Sequence, residues 1–262
     1  MWQRSELKDR AKNVLHTCYW NSVLVCFILM LLTGGVGRGS GSGYKGNAED
    51  VKSSWSDLFS MNSDISGTVV ALIVAIIVGV VGIVLLISVL ITLFAINPLV
   101  VGAKRFFMVS RQEKAGLGEL GFAFKKGYFN VVKIEFLRGL FTWLWTLLFI
   151  IPGIIKGYEY RMIPYILAEN PEIDYKEAFH LSKEMMTGEK WNTFVLDLSF
   201  ILWGILSIFT CMIASVFYVA PYIQHTNAEL YAILREKVLV SGITSSYELK
   251  GFGYEKETFV NE

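Results

Sequence analysis

Cysteine is scarce in this chain, with only Cys18, Cys26 and Cys211 among 262 residues, and no two of them have the C-x-x-C spacing of a zinc or redox site. A disulfide-stapled scaffold is therefore not expected, and two of the three fall in apolar segments where a thiol behaves as a small hydrophobe. The three histidines, His16, His180 and His225, have no partner at metal-ligand spacing. Neither H-E-x-x-H nor G-x-S-x-G occurs, so no metal site, no cofactor and no ordered nucleophile, acid and base set are expected. Net charge is +1, and nothing in its distribution forms the basic footprint of a nucleic-acid partner. A glycine-rich run from Gly34 to Gly43 lacks the Gly-Lys-Ser/Thr of a phosphate loop, and no strand precedes it, so it reads as flexible linker.

The most informative absence is charge. Between Asp64 and Lys104 the chain runs about 39 residues without an ionisable side chain, well beyond the roughly 20 apolar residues that a helix needs to cross a bilayer. With 53% hydrophobic and 14% aromatic residues and a mean hydropathy of +0.47, the composition is that of a polytopic membrane protein. In hydrocarbon only helices and closed barrels satisfy such a backbone. The lipid bilayer is thus the first expected partner.

Self-similarity divides the rest. An aromatic residue followed by Asn heads three apolar segments, at Trp20-Asn21, Phe129-Asn130 and Trp191-Asn192. Toward the end of each unit Pro is followed by a large apolar residue and then Val or Ile, at Pro98-Leu99-Val100, Pro164-Tyr165-Ile166 and Pro221-Tyr222-Ile223. Between these marks lies room for two helices and a turn, the turns falling at Thr33-Gly34-Gly35, Pro152-Gly153 and Thr210-Cys211. The fold class expected is an all-α integral membrane protein: six transmembrane helices as three αα-hairpin repeats, at 20–36, 68–97, 129–151, 154–168, 191–209 and 212–234. The fourth is short and carries Lys156, Glu159 and Arg161. A four-span arrangement, which merges the last two helices and drops the fourth, is the alternative. The whole chain reads as one membrane domain, with repeat 1 over 1–102 including a long outside loop at 34–67, repeat 2 over 103–168, repeat 3 over 169–234 and a polar tail over 235–262.

A charged amphipathic segment precedes each hairpin, at Ser5 to Leu15, Leu117 to Lys126 and Tyr175 to Met186, and each is expected to be a helix lying on the membrane surface. The third is best marked: Asp174 and Glu177 have capping-box spacing, Ala178, Leu181 and Met185 share a side, and Gly188 can end the helix. With six spans, about 18 Lys and Arg fall on the side of the termini against about 4 to 6 on the other. Both termini are therefore expected to be cytoplasmic, at the bacterial cytoplasmic membrane; four spans would put Lys156, Arg161, Lys176, Lys183 and Lys190 outside, against that rule.

Charges inside membrane segments are expensive and point to function or to pairing. Glu135 and Asp197 each lie five residues after the Asn of their unit, about 7.5 Å along a helix. Arg161, three residues before Pro164, reaches similar depth from the opposite direction. Glu135, Arg161 and Asp197 form the candidate polar pocket; a locking ion pair is the structural alternative, and Lys133 and Arg138 read as anchors that snorkel to the interface. Gln224, His225, Thr226 and Asn227 make a polar cluster after Pro221 that can satisfy carbonyls freed by the proline. Pro98, Pro164 and Pro221 are candidate hinges, or bends that end their helices.

Several ordered motifs resemble one bacterial membrane family: Ser5-Glu6-Leu7-Lys8-Asp9-Arg10-Ala11-Lys12, Pro152-Gly153-Ile154-Ile155-Lys156, Pro164-Tyr165-Ile166-Leu167-Ala168-Glu169-Asn170-Pro171 and Phe194-Val195-Leu196-Asp197-Leu198-Ser199-Phe200. The family is the one called domain of unknown function 975, and it is distantly similar to the membrane portion that accompanies some glycerophosphodiester phosphodiesterases. The chain departs from the family pattern at Ala220, where Asn is favoured, and at Met212 to Ala214, which replace a glycine-containing turn. The resemblance implies a multi-pass protein with no established activity, cofactor or substrate. The function expected is therefore non-enzymatic: binding or moving a small polar or amphiphilic molecule, or, alternatively, serving as scaffold or accessory subunit to another membrane protein.

Overall fold

The computed structural model describes residues 2–33, 67–209, 213–245 and 248–251, and every regular element among them is helical. The loop at 34–66 and the expected turn at Thr210-Cys211 lie outside the described residues, as do Gly34-Gly35. Helix α1 (Arg4–Thr17) buries Leu7, Ala11 and Leu15, residues spaced by four that form one stripe. It packs on the last helix, α11 (Ala220–Val240). At Cys18 the chain turns through 99° into α2 (Tyr19–Thr33).

Helix α3 (Gly67–Ile91) continues through a π turn at Thr92–Ile96 into α4 (Asn97–Val109). Residues Ala71–Val109 form the one described helix that is long and apolar enough to cross a membrane, about 58 Å at 1.5 Å per residue. The sequence places the end of this span at Asn97, yet the helix runs on through Pro98. The proline stands two residues after the π turn, inside a continuous helix, where its missing N–H has to be made good. The carbonyl it leaves free four residues back, that of Phe94, accepts a 2.7 Å hydrogen bond from the Tyr128 hydroxyl. A second π turn, Ser215–Val219, precedes Pro221 at the same offset and leads into α11.

A 3-10 turn (Leu117–Gly121) and a single helical turn (Phe122–Lys125) fold back on α4. Helices α5 (Tyr128–Leu148) and α6 (Ile150–Glu159) form a hairpin around an extended Phe149. Gly153 lies so close to Thr146 that a Cβ there would overlap its side chain. The fourth expected span is not one helix: α6 stops at Glu159, and α7 (Ile163–Glu169) begins after the turn at Tyr160–Met162. Pro164, in the first turn of α7, accounts for that break. The fifth divides likewise into α9 (Lys190–Leu198) and α10 (Ile201–Phe209).

The three amphipathic segments are helical or turn-like. In α8 (Tyr175–Met186) the Asp174 carboxylate caps the Lys176 N–H at 3.0 Å, and Ala178, Leu181 and Met185 are buried as their spacing predicts. Gly188 takes φ +80°, a left-handed conformation that suits glycine after a helix end.

Packing divides the molecule into a body and arms. The body gathers α1, α4, α7, α8 and α11 around Phe106, Phe107, Ile163, Ile166, Leu167 and Leu181, side chains whose burial stabilises by about 1.5–3 kcal/mol each. Arg111 ties α4 to α11 through both oxygens of Glu229, at 2.8 and 3.2 Å. The arms are apolar and open. No described side chain of α3 is buried, and Leu140, Trp143, Leu147, Ile150 and Ile154 are exposed on the second hairpin.

Gly102 marks the closest approach within the body: a Cβ there would overlap the Leu120 carbonyl. Gly102→Ala is therefore expected to cost about 1–3 kcal/mol, measured as a lower melting temperature in detergent. Gly139, on α5 with open space around it, is the control: Gly139→Ala should leave stability unchanged or raise it. Equal melting of both variants would overturn the close-packing argument.

Candidate functional site

Where the arms join the body, charged side chains from α6, the turn before α7 and α9 meet. Arg161, in the turn between α6 and α7, grips Asp197 of α9 with both ends of its guanidinium, Nη2 reaching Oδ1 at 2.8 Å and Nη1 bonding Oδ2. Its Nη2 also donates to Asn227 Oδ1 of α11 at 2.9 Å, and the Tyr158 hydroxyl donates to Asp197 Oδ2 at 2.9 Å. Glu159 bridges Lys156 and Lys190 at 3.1 and 3.2 Å. Two of the three expected pocket residues thus come together, in the bidentate geometry that makes arginine and carboxylate a strong pair.

Glu135 does not join them. It pairs instead with Arg138, three residues on along the same helix, at 2.7 Å, because i, i+3 neighbours on a helix need no tertiary geometry to meet. Its side chain is buried, and its second oxygen, Oε1, has no hydrogen-bond partner. Lys133, the other expected anchor, is exposed with its ammonium 4.9 Å from the Tyr175 ring.

One residue of this region escapes sequence reasoning. Lys104, on α4, donates to Gln224 Oε1 of α11 at 2.7 Å and lies 4.9 Å from the centre of the Tyr165 ring. The charges of Arg161, Arg138 and Glu135 act on it. The buried Tyr165 hydroxyl, like Glu135 Oε1, has no partner. A span ended at Asn97 puts Lys104 in the cytoplasm; its spacing from the proline is the signal that would have found it. Six residues after the proline of each unit stand Lys104, Asn170 and Asn227, and all three bond across to other elements.

Behind Tyr165 a second buried cluster anchors the body. Tyr165 stacks on Tyr231 with ring centres 5.3 Å apart, and the Tyr231 hydroxyl donates to Glu169 Oε2 at 2.7 Å. Glu169 also receives Arg235 Nε at 2.9 and 3.1 Å and the backbone N–H of Gly251 at 2.7 Å.

The polar cluster after Pro221 divides its roles. Thr226 donates to the Tyr222 carbonyl at 2.8 Å, one turn back on its own helix and not a carbonyl that Pro221 frees. His225 Nε2 lies 2.8 Å from Ser22 Oγ, its ring edge-on to Phe107, with Nδ1 unpartnered. Cys18 and Cys26 are buried free thiols.

At the body surface a cleft of about 630 Å³ is lined by Trp2, Gln3, Arg4, Ser5, Lys8, Asn192 and Ser199. Lys8 Nζ donates to Ser199 Oγ at 2.7 Å, and burial, with help from Arg4 and Lys12, holds its amine below the usual lysine range.

The candidate hinges sit at different kinds of break: Pro98 and Pro221 just after π turns inside continuous helices, Pro164 at the start of α7 after a true interruption. The family model described as "Protein of unknown function (DUF975)" matches residues 47–238. Within that match lie three of the four motifs that carry the resemblance. Comparison with curated proteins and with solved structures returns no match.

Proposed function

Because the chain belongs to the DUF975 family of unknown function and gathers buried charges at the root of exposed apolar arms, we propose that it is a multi-pass protein of the bacterial cytoplasmic membrane that binds or moves a small polar or amphiphilic molecule at that charged layer. One observation carries this reading. Large apolar side chains are exposed along Leu72 to Ile91 and Leu140 to Ile155, while Glu135 and Arg161 at the base of these arms are shielded. Soluble monomers rarely expose contiguous apolar patches beyond a few hundred Å². Three exposed aromatics, Trp20, Phe129 and Trp191, stand at the arm bases as residues of a headgroup belt would.

In this reading three helical hairpins make six passes, with both termini and the amphipathic helices on the cytoplasmic face. The ten residues of α6 put about 15 Å between the hairpin tip and Glu159. With its tip at the far interface, the polar layer lies about half way through a 30 Å hydrocarbon core. The motifs quoted above extend the kinship, distantly, to the membrane portion of some glycerophosphodiester phosphodiesterases. We read the molecule as a binder rather than an enzyme: Ser22 and His225, its nearest approach to a nucleophile and base, are both fully buried, with no carboxylate on Nδ1 among the described residues.

Topology is tested at Lys183, an exposed residue of α8. In a Cys211→Ser background, Lys183→Cys should resist a membrane-impermeant maleimide in intact cells and react after permeabilisation. Labelling in intact cells would overturn the six-pass arrangement. The accessory-subunit reading draws on α3, which has no buried described side chain and offers a full face to a partner. Extraction in mild detergent would then return a stoichiometric companion, and a solitary monomer counts against it.

A further inference from the structure

We infer that the ligand of the polar layer is a small anion that also carries a hydrogen-bond donor, its anionic end received by Lys104 and Tyr165 and its donor by Glu135. This rests on the binding reading above and narrows its chemistry. The three residues stand on α4, α7 and α5, helices that pack pairwise on one another. Each has bonding capacity left over. An ammonium has three N–H donors, and among the described residues Lys104 uses one, on Gln224. The Tyr165 hydroxyl and Glu135 Oε1 have no partner although both residues are more than nine-tenths buried.

Unfilled hydrogen-bonding capacity of this kind is rare in folded proteins and costly when left so. Sorted by type, it comprises donors at Lys104, an acceptor at Glu135 and a hydroxyl able to do either. The charges agree: Arg138 pairs with Glu135 and Arg161 with Asp197, so the Lys104 ammonium is the charge these pairs leave over, and a single anion cancels it. A cation would meet the Lys104 ammonium, the one charge here that is not already paired among the described residues. A neutral apolar guest would leave Glu135 Oε1 unpaired, and an anion without a donor would confront it with a like charge. A guest with both an anionic group and a hydroxyl or ammonium satisfies every group and the charge as well. The adjoining Arg161–Asp197 pair has its bonds filled and serves as the wall of the site.

Such chemistry occurs in lipid headgroups and in free solutes, and the test separates them. The full-length protein in neutral detergent is titrated with dihexanoyl-phosphatidylglycerol, which has a phosphate and hydroxyls, with dihexanoyl-phosphatidylcholine, which has no donor, and with O-phosphoethanolamine, which has an ammonium and no acyl chains. Phosphatidylglycerol should bind at least about ten-fold more tightly than phosphatidylcholine, the value of one hydrogen bond to a charged group. Binding of O-phosphoethanolamine as well supports the proposal with a free solute as the guest, and its failure to bind supports it with a lipid headgroup. Tyr165→Phe should weaken phosphatidylglycerol about ten-fold while leaving the ligand-free melting temperature equal or higher, since it deletes a hydroxyl that has no partner in the free protein. Lys104→Met should abolish binding. Equal affinity for the two lipids, or affinity indifferent to Tyr165→Phe, overturns the ligand class while binding itself stands. Failure of every probe, with no small molecule co-purifying by native mass spectrometry, overturns the binding reading together with it.

Discussion

Glu169→Ala is expected to lower stability by about 3–5 kcal/mol, the cost of taking one member from a buried ion pair, and to leave little folded protein in the membrane. The Glu169 side chain is fully buried. It receives the Arg235 guanidinium, the Tyr231 hydroxyl and the Gly251 N–H, so that truncation strips an acceptor from three donors at once. It also loosens the Tyr165–Tyr231 stack behind the polar layer. Glu169→Gln keeps one acceptor oxygen and should lose less. Thermal melts of the three proteins in one detergent provide the comparison, and an alanine variant that melts with the parent would show that the cluster contributes nothing to the fold.

Removing Asp197 has the next largest expected effect. Asp197→Ala leaves the Arg161 guanidinium, which is 14% exposed, in a low-dielectric layer with the Asn227 amide and the Tyr158 hydroxyl as neutral partners in place of a carboxylate. A loss of about 2–4 kcal/mol is expected, somewhat less than at Glu169 because a third of the Asp197 side chain is exposed. The double variant Arg161→Met/Asp197→Leu should recover much of it, since apolar replacements of a buried pair are often neutral. Steady-state level in the membrane and melting temperature report the outcome. Normal accumulation of Asp197→Ala with loss of ligand binding would instead make Asp197 a direct ligand contact.

The helices themselves were largely readable from pattern. Leu7, Ala11 and Leu15, or Ala178, Leu181 and Met185, fall on one face by spacing alone, and the cap at Asp174 and the stop at Gly188 are local signals. What escaped was decided by distant residues. Whether a proline ends a helix depends on who serves the carbonyl it frees. At Pro98 that partner is Tyr128, thirty residues on, so α4 continues and Lys104 joins the site. At Pro164 the chain breaks at Tyr160–Met162 instead, and the break aims Arg161 at Asp197. The Arg161–Asp197 pair was legible because both residues are charges in apolar company with few alternatives. Glu135 was misdirected because Arg138, a surface anchor by composition, lies one helical turn away. Tyr165, with no charge to betray it, gives no signal in the sequence that its hydroxyl is stranded.

The hydroxyl of Tyr128 on the Phe94 carbonyl sets an order of events during synthesis. When the long helix over 67–109 has left the ribosome, the Phe94 oxygen still lacks this hydroxyl on an otherwise apolar rod. It is sealed only after the next hairpin has begun to emerge and Tyr128 has swung against it. A chain halted before that point leaves the Phe94 oxygen without the hydroxyl that the finished chain gives it, so one polar atom on the apolar rod tells the two apart.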